Sequence, residues 1–155
     1  VINIIPESKE LGYVGKPKKI NKEKILNFIK NKQIPIVVPL GLGDDGRIYN
    51  INADVAAGSI AKEIDARRLL LMTDVEGVLD ENQKLISEIN LNKANEMLKN
   101  NIISGGMIPK INTCLDAISN GVRGVVIVDG RKPHSILFEL FSDKGAGTLI
   151  KKWII

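Results

Sequence analysis

The chain has 155 residues, 44% of them hydrophobic and 26% charged, with a formal net charge of +4. That is one domain's worth of chain, long enough for a real core, and it holds no apolar run of the roughly 18 residues a membrane span needs. Aromatics are only 4% of the chain, too few to supply stacking platforms for single-stranded nucleic acid. The mild basic excess fits small anionic molecules at least as well as nucleic acid, and neither nucleic acid nor a membrane is expected as a partner. The N-terminus has no basic flank or cleavage site of a signal peptide. It also has no initiator Met, so the chain is expected to be a piece of a longer one. Cys114 is the only cysteine, which excludes an intrachain disulfide and a cysteine-rich zinc site and fits a reducing, cytoplasmic compartment.

In chain order, residues 1–20 read as extended pieces joined by turns at Pro6, Gly12, Gly15 and Pro17. An apolar stripe of Ile25, Leu26, Phe28 and Ile29 among lysines predicts a helix over 22–32. Ile34-Pro35-Ile36-Val37-Val38-Pro39-Leu40 is a short apolar run that predicts a buried parallel strand, with a turn-rich loop over 41–46. Asn52 is placed to cap a helix running to about residue 64, with Ala53, Ala56, Ala57, Ile60, Ala61 and Ile64 inward. Leu69-Leu70-Leu71-Met72 predicts a second buried strand, and 80–84 a small hairpin. Helices are expected over 91–99 and 107–119, the second with Ile108, Ile111, Leu115 and Ile118 on one stripe and Cys114 bordering it. Gly124-Val125-Val126-Ile127-Val128 predicts a third buried strand. A short helix over 134–141 and a last strand over 147–150 follow. Alternating strands and helices predict an α/β fold, a three-layer sandwich with a mainly parallel sheet. In such sheets ligands sit beyond the C-terminal strand ends, which are the loops at 41–47, 73–80 and 129–131.

Two segments carry the clearest chemistry. Tyr49-Asn50-Ile51-Asn52-Ala53-Asp54 puts a carboxylate in the first turn of a helix. Ser104-Gly105-Gly106-Met107-Ile108-Pro109-Lys110 puts an ammonium beside a glycine loop at the start of another. A helix N-terminus offers unpaired N–H groups and partial positive charge, and glycines let that backbone approach an anion. A lysine is at home there when an anion lies between. The plain alternatives are a solvated lysine in an ordinary loop and, for Asp54, an acid favoured by the helix dipole alone. Asp74, at the end of a buried strand, is better placed to face a ligand, its alternative being a turn-capping role. His134, at a helix start, reads as a capping or surface residue, and no metal site accompanies it. There is no G-x-x-x-x-G-K-[ST] phosphate loop, no G-x-G-x-x-G between strand and helix and no G-x-S-x-G nucleophile turn. A dinucleotide-dependent reductase is therefore a weak reading.

An ordered set of segments resembles the amino acid kinase family. It comprises Gly12-Tyr13-Val14-Gly15, the segment from Tyr49 to Asp54, Thr73-Asp74-Val75-Glu76-Gly77-Val78-Leu79-Asp80 and Gly105-Gly106-Met107-Ile108-Pro109-Lys110. The set ends with Asp129-Gly130-Arg131 through Gly145-Ala146-Gly147-Thr148. The resemblance implies phosphoryl transfer from ATP, with Mg²⁺ on its phosphates, to the side-chain carboxylate of N-acetyl-L-glutamate in arginine synthesis. It implies that Asn50 holds the substrate α-carboxylate, that Asp54 organises the catalytic lysines, and that Lys110 neutralises charge on the transferring phosphoryl group. Thr73, Asp74, Val75, Gly77 and Leu79, with Gly106 and Met107, would line the nucleotide site.

Members of the family are nearly twice as long. The chain is thus expected to be the C-terminal, ATP-binding lobe over 1–155, without the N-terminal lobe that bears a glycine loop, a first lysine and a substrate-binding arginine. The tail His134-Ser135-Ile136-Leu137-Phe138-Glu139 with Gly145-x-Gly147-Thr148 is similar to that of arginine-inhibited members. There Glu139 and the backbone near Gly145 would hold the effector. A homo-oligomer is expected, as is the cytoplasm, or the plastid stroma if the source is a photosynthetic eukaryote, where a PII-type signalling protein is a further possible partner. The alternatives are another amino acid kinase acting on glutamate or aspartate, and a non-catalytic nucleotide-binding or regulatory module.

Overall fold

A computed structural model describes residues 1–153 of the chain. The chain folds as two compact units, one from Val1 to Ala66 and one beginning at Arg67, a division that no linker composition marks.

The first unit contains β1 (Ile2–Pro6), β2 (Gly15–Ile20), α1 (Lys22–Lys30), β3 (Leu40–Gly43), β4 (Ile48–Asn50) and α2 (Ala53–Glu63). Its four strands lie in the order β2-β1-β3-β4. β1 and β3 run parallel, while β1–β2 and β3–β4 are antiparallel. One face is packed: Ile2, Ile4 and Tyr49 meet Ile25 of α1 and Ala56 of α2 in a common apolar cluster. Asparagine starts both helices. The Asn21 side chain accepts from the Lys24 amide, and that of Asn52 accepts from the Asp54 and Val55 amides, which satisfies donors a helix start leaves open.

The second unit contains β5 (Arg68–Thr73), β6 (Glu88–Asn90), α3 (Leu91–Lys99), α4 (Met107–Ser119), β7 (Gly124–Asp129), α5 (Ser135–Phe141) and β8 (Gly147–Lys151). The sheet order is β5-β7-β8-β6, with β5–β7 and β6–β8 parallel and β7–β8 antiparallel. Every residue of β7 is buried, as expected of a central strand covered on both faces. Asn90 caps α3 by accepting from the Lys93 amide.

The α/β class stands, with helices flanking the strands. The strand pairing is mixed, not mainly parallel, and is divided between two sheets. Connections as short as 44–47 cannot make a parallel crossover, so β3 and β4 form a hairpin. The strand expected over 34–40 is not there: β3 starts at Leu40 and takes in part of the expected loop. Prolines at 35 and 39 each remove a ladder donor, and the segment has no neighbouring strand to pair with among the described residues. The inner face of α2 follows the expected stripe: Ala56 and Ala61 are buried, Ile60 and Ile64 pack against the core cluster, and of the six expected residues only Ala53 is exposed. That of α4 is turned from it: the buried residues are Ile111, Cys114, Ala117 and Ile118, and Ile108 is exposed. There a small residue, Ala117, lets the backbone pack closely, a preference that a count of large apolar residues overlooks.

Candidate functional site

The loop leaving β5 is held in place by buried polar contacts. The Val78 amide donates to Thr148 Oγ1 (2.8 Å), and that hydroxyl donates to the Ile86 carbonyl (2.7 Å). Thr148 is fully buried, so both bonds are made in a low dielectric, where an unmade bond is costly. Gly77 has φ +149°, and a Cβ there would lie 2.6 Å from Thr148 Oγ1 and 2.7 Å from Leu85 Cδ1. Only glycine fits this turn. The hairpin expected over 80–84 is present: the Asp80 amide donates to the Lys84 carbonyl, and Asp80 Oδ1 accepts from the Asn82 and Lys84 amides.

A cavity of about 280 Å³ opens between this loop and the start of α4. Val75, Gly77, Leu79 and Met107, all expected at the nucleotide site, line it with Val78, Asp80, Gln83, Ile102, Ile103 and Ser104. Thr73, Asp74 and Gly106 do not line it. Thr73 ends β5, its hydroxyl 3.3 Å from Asp74 Oδ1. Gln83 and residues 102–104 escaped the sequence reading. The apolar pair directly before Ser104-Gly105-Gly106 was the available signal for the latter, and Gln83 reaches the cavity only because the hairpin folds back.

α4 begins differently from α1, α2 and α3. Gly106 is its N-cap and no side chain caps it; the Met107 and Ile108 amides donate instead to the Ser104 and Gly105 carbonyls (3.2 Å each), and Pro109 has no N–H, so what the helix start offers is its partial positive charge. Lys110 lies in that turn, one turn on from Met107, and is half-buried.

The end of β7 braces the same loop. Asp129 is 2% exposed. Its carboxylate accepts from the Arg131 amide (3.0 Å), Nε (2.9 Å) and Nη2 (2.9 Å). These bonds to the guanidinium, then the backbone amide, hold its pKa down at about 2, because each favours the charged form. The Gly130 amide donates to the Thr73 carbonyl (2.8 Å), and Lys132 Nζ lies 2.6 Å from Glu76 Oε1. Gly130 and Lys132 thus tie the strand end and loop over 73–76 to the end of β7.

In the first unit, Asn50 ends β4 with its side chain exposed, and its amide donates to the Tyr13 carbonyl (2.8 Å). The turn before it is locked by Asp45, which accepts from the Arg47 amide (3.0 Å) and the Tyr49 hydroxyl (2.8 Å). Those bonds lower the Asp45 pKa and raise that of Tyr49. Asp54 is half-buried in the first turn of α2.

Glu139, expected to be ligand-facing, is buried on α5. It lies 3.2 Å from Arg68 Nη1 and accepts from the Ala146 amide (2.9 Å). Both groups border a cavity of about 240 Å³, shared with Ser87, Glu88, Gly145 and Gly147. Arg68, the first residue of β5 and just ahead of the apolar run, escaped the sequence reading. His134 takes the N-cap position of α5 in a left-handed conformation, and its side chain makes no cap bond. Among the described residues no helix is long and apolar enough to cross a membrane. Nor does any group of three or more His, Cys, Asp or Glu form a metal cluster there.

Residues 2–129 match the Amino acid kinase family. A curated acetylglutamate kinase from Pelagibacter ubique is 59% identical over 152 residues, covering 98% of this chain and 53% of the relative. One from Gluconobacter oxydans is 52% identical over 142 residues, covering 92% and 48%. Among solved structures, smu.665 from Streptococcus mutans UA159 has a TM-score of 0.81 and 36% identity, covering 97% of this chain and 56% of that one. The chain spans about half the length of the curated relatives it matches. With the family match running from the first strand through the buried Asp129 that ends β7, the chain belongs to the amino acid kinase family.

Proposed function

We propose that the full-length protein transfers the γ-phosphoryl group of ATP to the side-chain carboxylate of N-acetyl-L-glutamate, a step of arginine synthesis. This chain contributes mainly the nucleotide-binding half, and the substrate-gripping lobe belongs to the part of the protein it does not span. The observation that carries the reading is the cavity beyond β5, bounded by the uncapped α4 whose first turn bears Lys110. An apolar cleft beside the positive end of a helix and an ammonium suits a planar base joined to phosphates.

In the reaction a carboxylate oxygen attacks the γ-phosphorus, the bond from that phosphorus to the bridging oxygen breaks, and ADP leaves. The carboxylate is already ionised at neutral pH, so no strong base is required. Catalysis then rests on positioning and charge neutralisation. The loop over 75–79 and Met107 hold the nucleotide, the α4 start and Lys110 offset phosphoryl charge, Asn50 grips the substrate α-carboxylate, and Asp54 orders the lysines. Mg²⁺ bound with the nucleotide would supply further charge neutralisation.

A substrate panel on the full-length protein tests this. Phosphorylation of N-acetyl-L-glutamate is expected in preference to glutamate and aspartate, with Lys110→Ala lowering kcat by about 10²-fold or more. Equal use of the unacetylated acids would point to another kinase of the family. ATP binding without transfer to any of them would point to a regulatory module.

L-Arginine is the effector we assign to the second cavity, with Glu139 and the backbone at Gly145 as its contacts. Arg68 already places a guanidinium on Glu139, so a free arginine must displace it or share the carboxylate. Calorimetry on the full-length protein is expected to show arginine binding that Glu139→Gln abolishes. Binding unaffected by that change would remove Glu139 from the site.

A further inference from the structure

The segment Gly12-Tyr13-Val14-Gly15 belongs to the family resemblance, yet the proposed reaction gives it no task. It closes the loop over 7–14 between β1 and β2, where the Glu7 amide donates to the Val14 carbonyl (2.9 Å). Gly15 then lays β2 tightly on β1: a Cβ there would come within 2.8 Å of Ile4 Cδ1. The same segment reaches past this hairpin to the end of β4. Val14 forms an isolated parallel bridge with Asn50, and the Tyr13 carbonyl accepts from the Asn50 amide (2.8 Å). On its other side Asn50 lies opposite Leu40 of β3, and the next amide, that of Ile51, donates to the Pro39 carbonyl (2.9 Å). The backbone at Asn50 is thus held from both sides, although Asn50 is the last residue of its strand and its side chain is exposed.

Side chains fix this junction in turn. The Tyr13 ring meets the Tyr49 ring edge to face, with centroids 5.6 Å apart. The Arg47 guanidinium lies 5.8 Å from the Tyr13 centroid. Tyr49 is buried in the apolar cluster of the first unit, and its hydroxyl donates to Asp45 (2.8 Å). Asp45 also accepts from the Arg47 amide, which closes the turn before β4. A chain of contacts therefore runs from that turn through Tyr49 to Tyr13 and ends on the Asn50 amide. Tyr13 itself is 59% exposed. Its ring buries little area, so what its contacts with Tyr49 and Arg47 chiefly supply is position.

We propose that Tyr13 is a positioning residue for the acceptor substrate: braced on Tyr49, it fixes the backbone of Asn50 and so the aim of the side-chain amide that grips the substrate α-carboxylate. A hydrogen bond from an amide to a carboxylate is directional, and a binding group must be held to within about 0.5 Å to make it well. The α-carboxylate takes no part in making or breaking bonds. Its grip is equal in the ground and transition states, so loosening it raises KM and leaves kcat as it was. The proposal rests on the reading of Asn50 as a substrate ligand.

Steady-state kinetics on the full-length protein tests it, with KM for each substrate and kcat read separately. Tyr13→Ala is expected to raise the KM for N-acetyl-L-glutamate about tenfold, with kcat and the KM for ATP as in wild type. Tyr13→Phe keeps the ring and loses only the hydroxyl, which lies 3.5 Å from Arg47 Nη1; it is expected to restore the wild-type KM. Asn50→Ala is the reference and is expected to raise the same KM at least as far. An unchanged KM in Tyr13→Ala beside a raised one in Asn50→Ala overturns the proposal and leaves the reading of Asn50 standing. An unchanged KM in Asn50→Ala overturns both. Thermal melts on the same preparations complete the test. A Tyr13→Ala protein with a lowered Tm that loses kcat and ATP affinity together would make the ring a plain stability contact, and that also overturns the proposal.

Discussion

Asp129 shows how one buried acid can serve a loop it does not belong to. Its carboxylate takes three bonds from Arg131 alone, and the next residue, Gly130, bonds the end of β5. The carboxyl pKa is lowered from 3.8 to about 2, so the folded state favours the ionised form. The stability that this supplies is fully present above about pH 4 and is lost as pH falls through about 2. Asp129→Asn is therefore expected to lower the Tm most at near-neutral pH. The gap from wild type is expected to narrow between about pH 4 and pH 2. A gap constant over that range, measured by thermal melts in a pH series, would show that the ion pair is not what Asp129 contributes.

The element that matters most is the loop between β5 and β6, whose shape is set by one glycine and one buried hydroxyl. Gly77 cannot gain a Cβ without meeting Thr148 and Leu85, and its φ of +149° is one that side chains rarely adopt. Gly105, before α4, also has positive φ (+56°), but a Cβ there meets nothing within 4 Å. The two therefore separate backbone strain from steric displacement. Gly77→Ala is expected to weaken ATP binding to the full-length protein by about tenfold, equivalent to about 1.4 kcal/mol. Gly105→Ala is expected to act mainly through strain on stability, of about 1–2 kcal/mol. Calorimetric titration with ATP and thermal melts distinguish the two, and equal losses of affinity would mean that crowding at Thr148 does not shape the cavity.

At the scale of the whole molecule, each unit is a small mixed sheet with helices, and the chain is about half the length of its curated relatives. If the substrate-binding lobe lies in the remaining half, the 155 residues mixed with ATP and N-acetyl-L-glutamate should turn over little or nothing, while the full-length protein is active. A coupled ADP-release assay on both makes the comparison. Turnover by the isolated chain near that of the full-length protein would show that it already holds everything the reaction needs.

The local signals in this chain were strong. The Asn52 cap, the run from Leu69 to Met72, the glycine pair before Met107 and the hairpin at Asp80 all follow from short-range chemistry, and each is found where that chemistry puts it. Strand direction, sheet membership and the inner face of each helix depend on which element lies alongside, and neighbours distant in sequence decide that. Residues 34–38 show the limit most clearly. They have the composition and alternation of a strand, but a strand exists only where a second backbone completes its hydrogen bonds. Arg68 and Glu139 meet across 71 residues, a pairing that only the folded sheet and the helix laid on it bring about. Sequence determined what each segment could become, and tertiary structure decided what it became, because ladder bonds and burial are properties of pairs of segments.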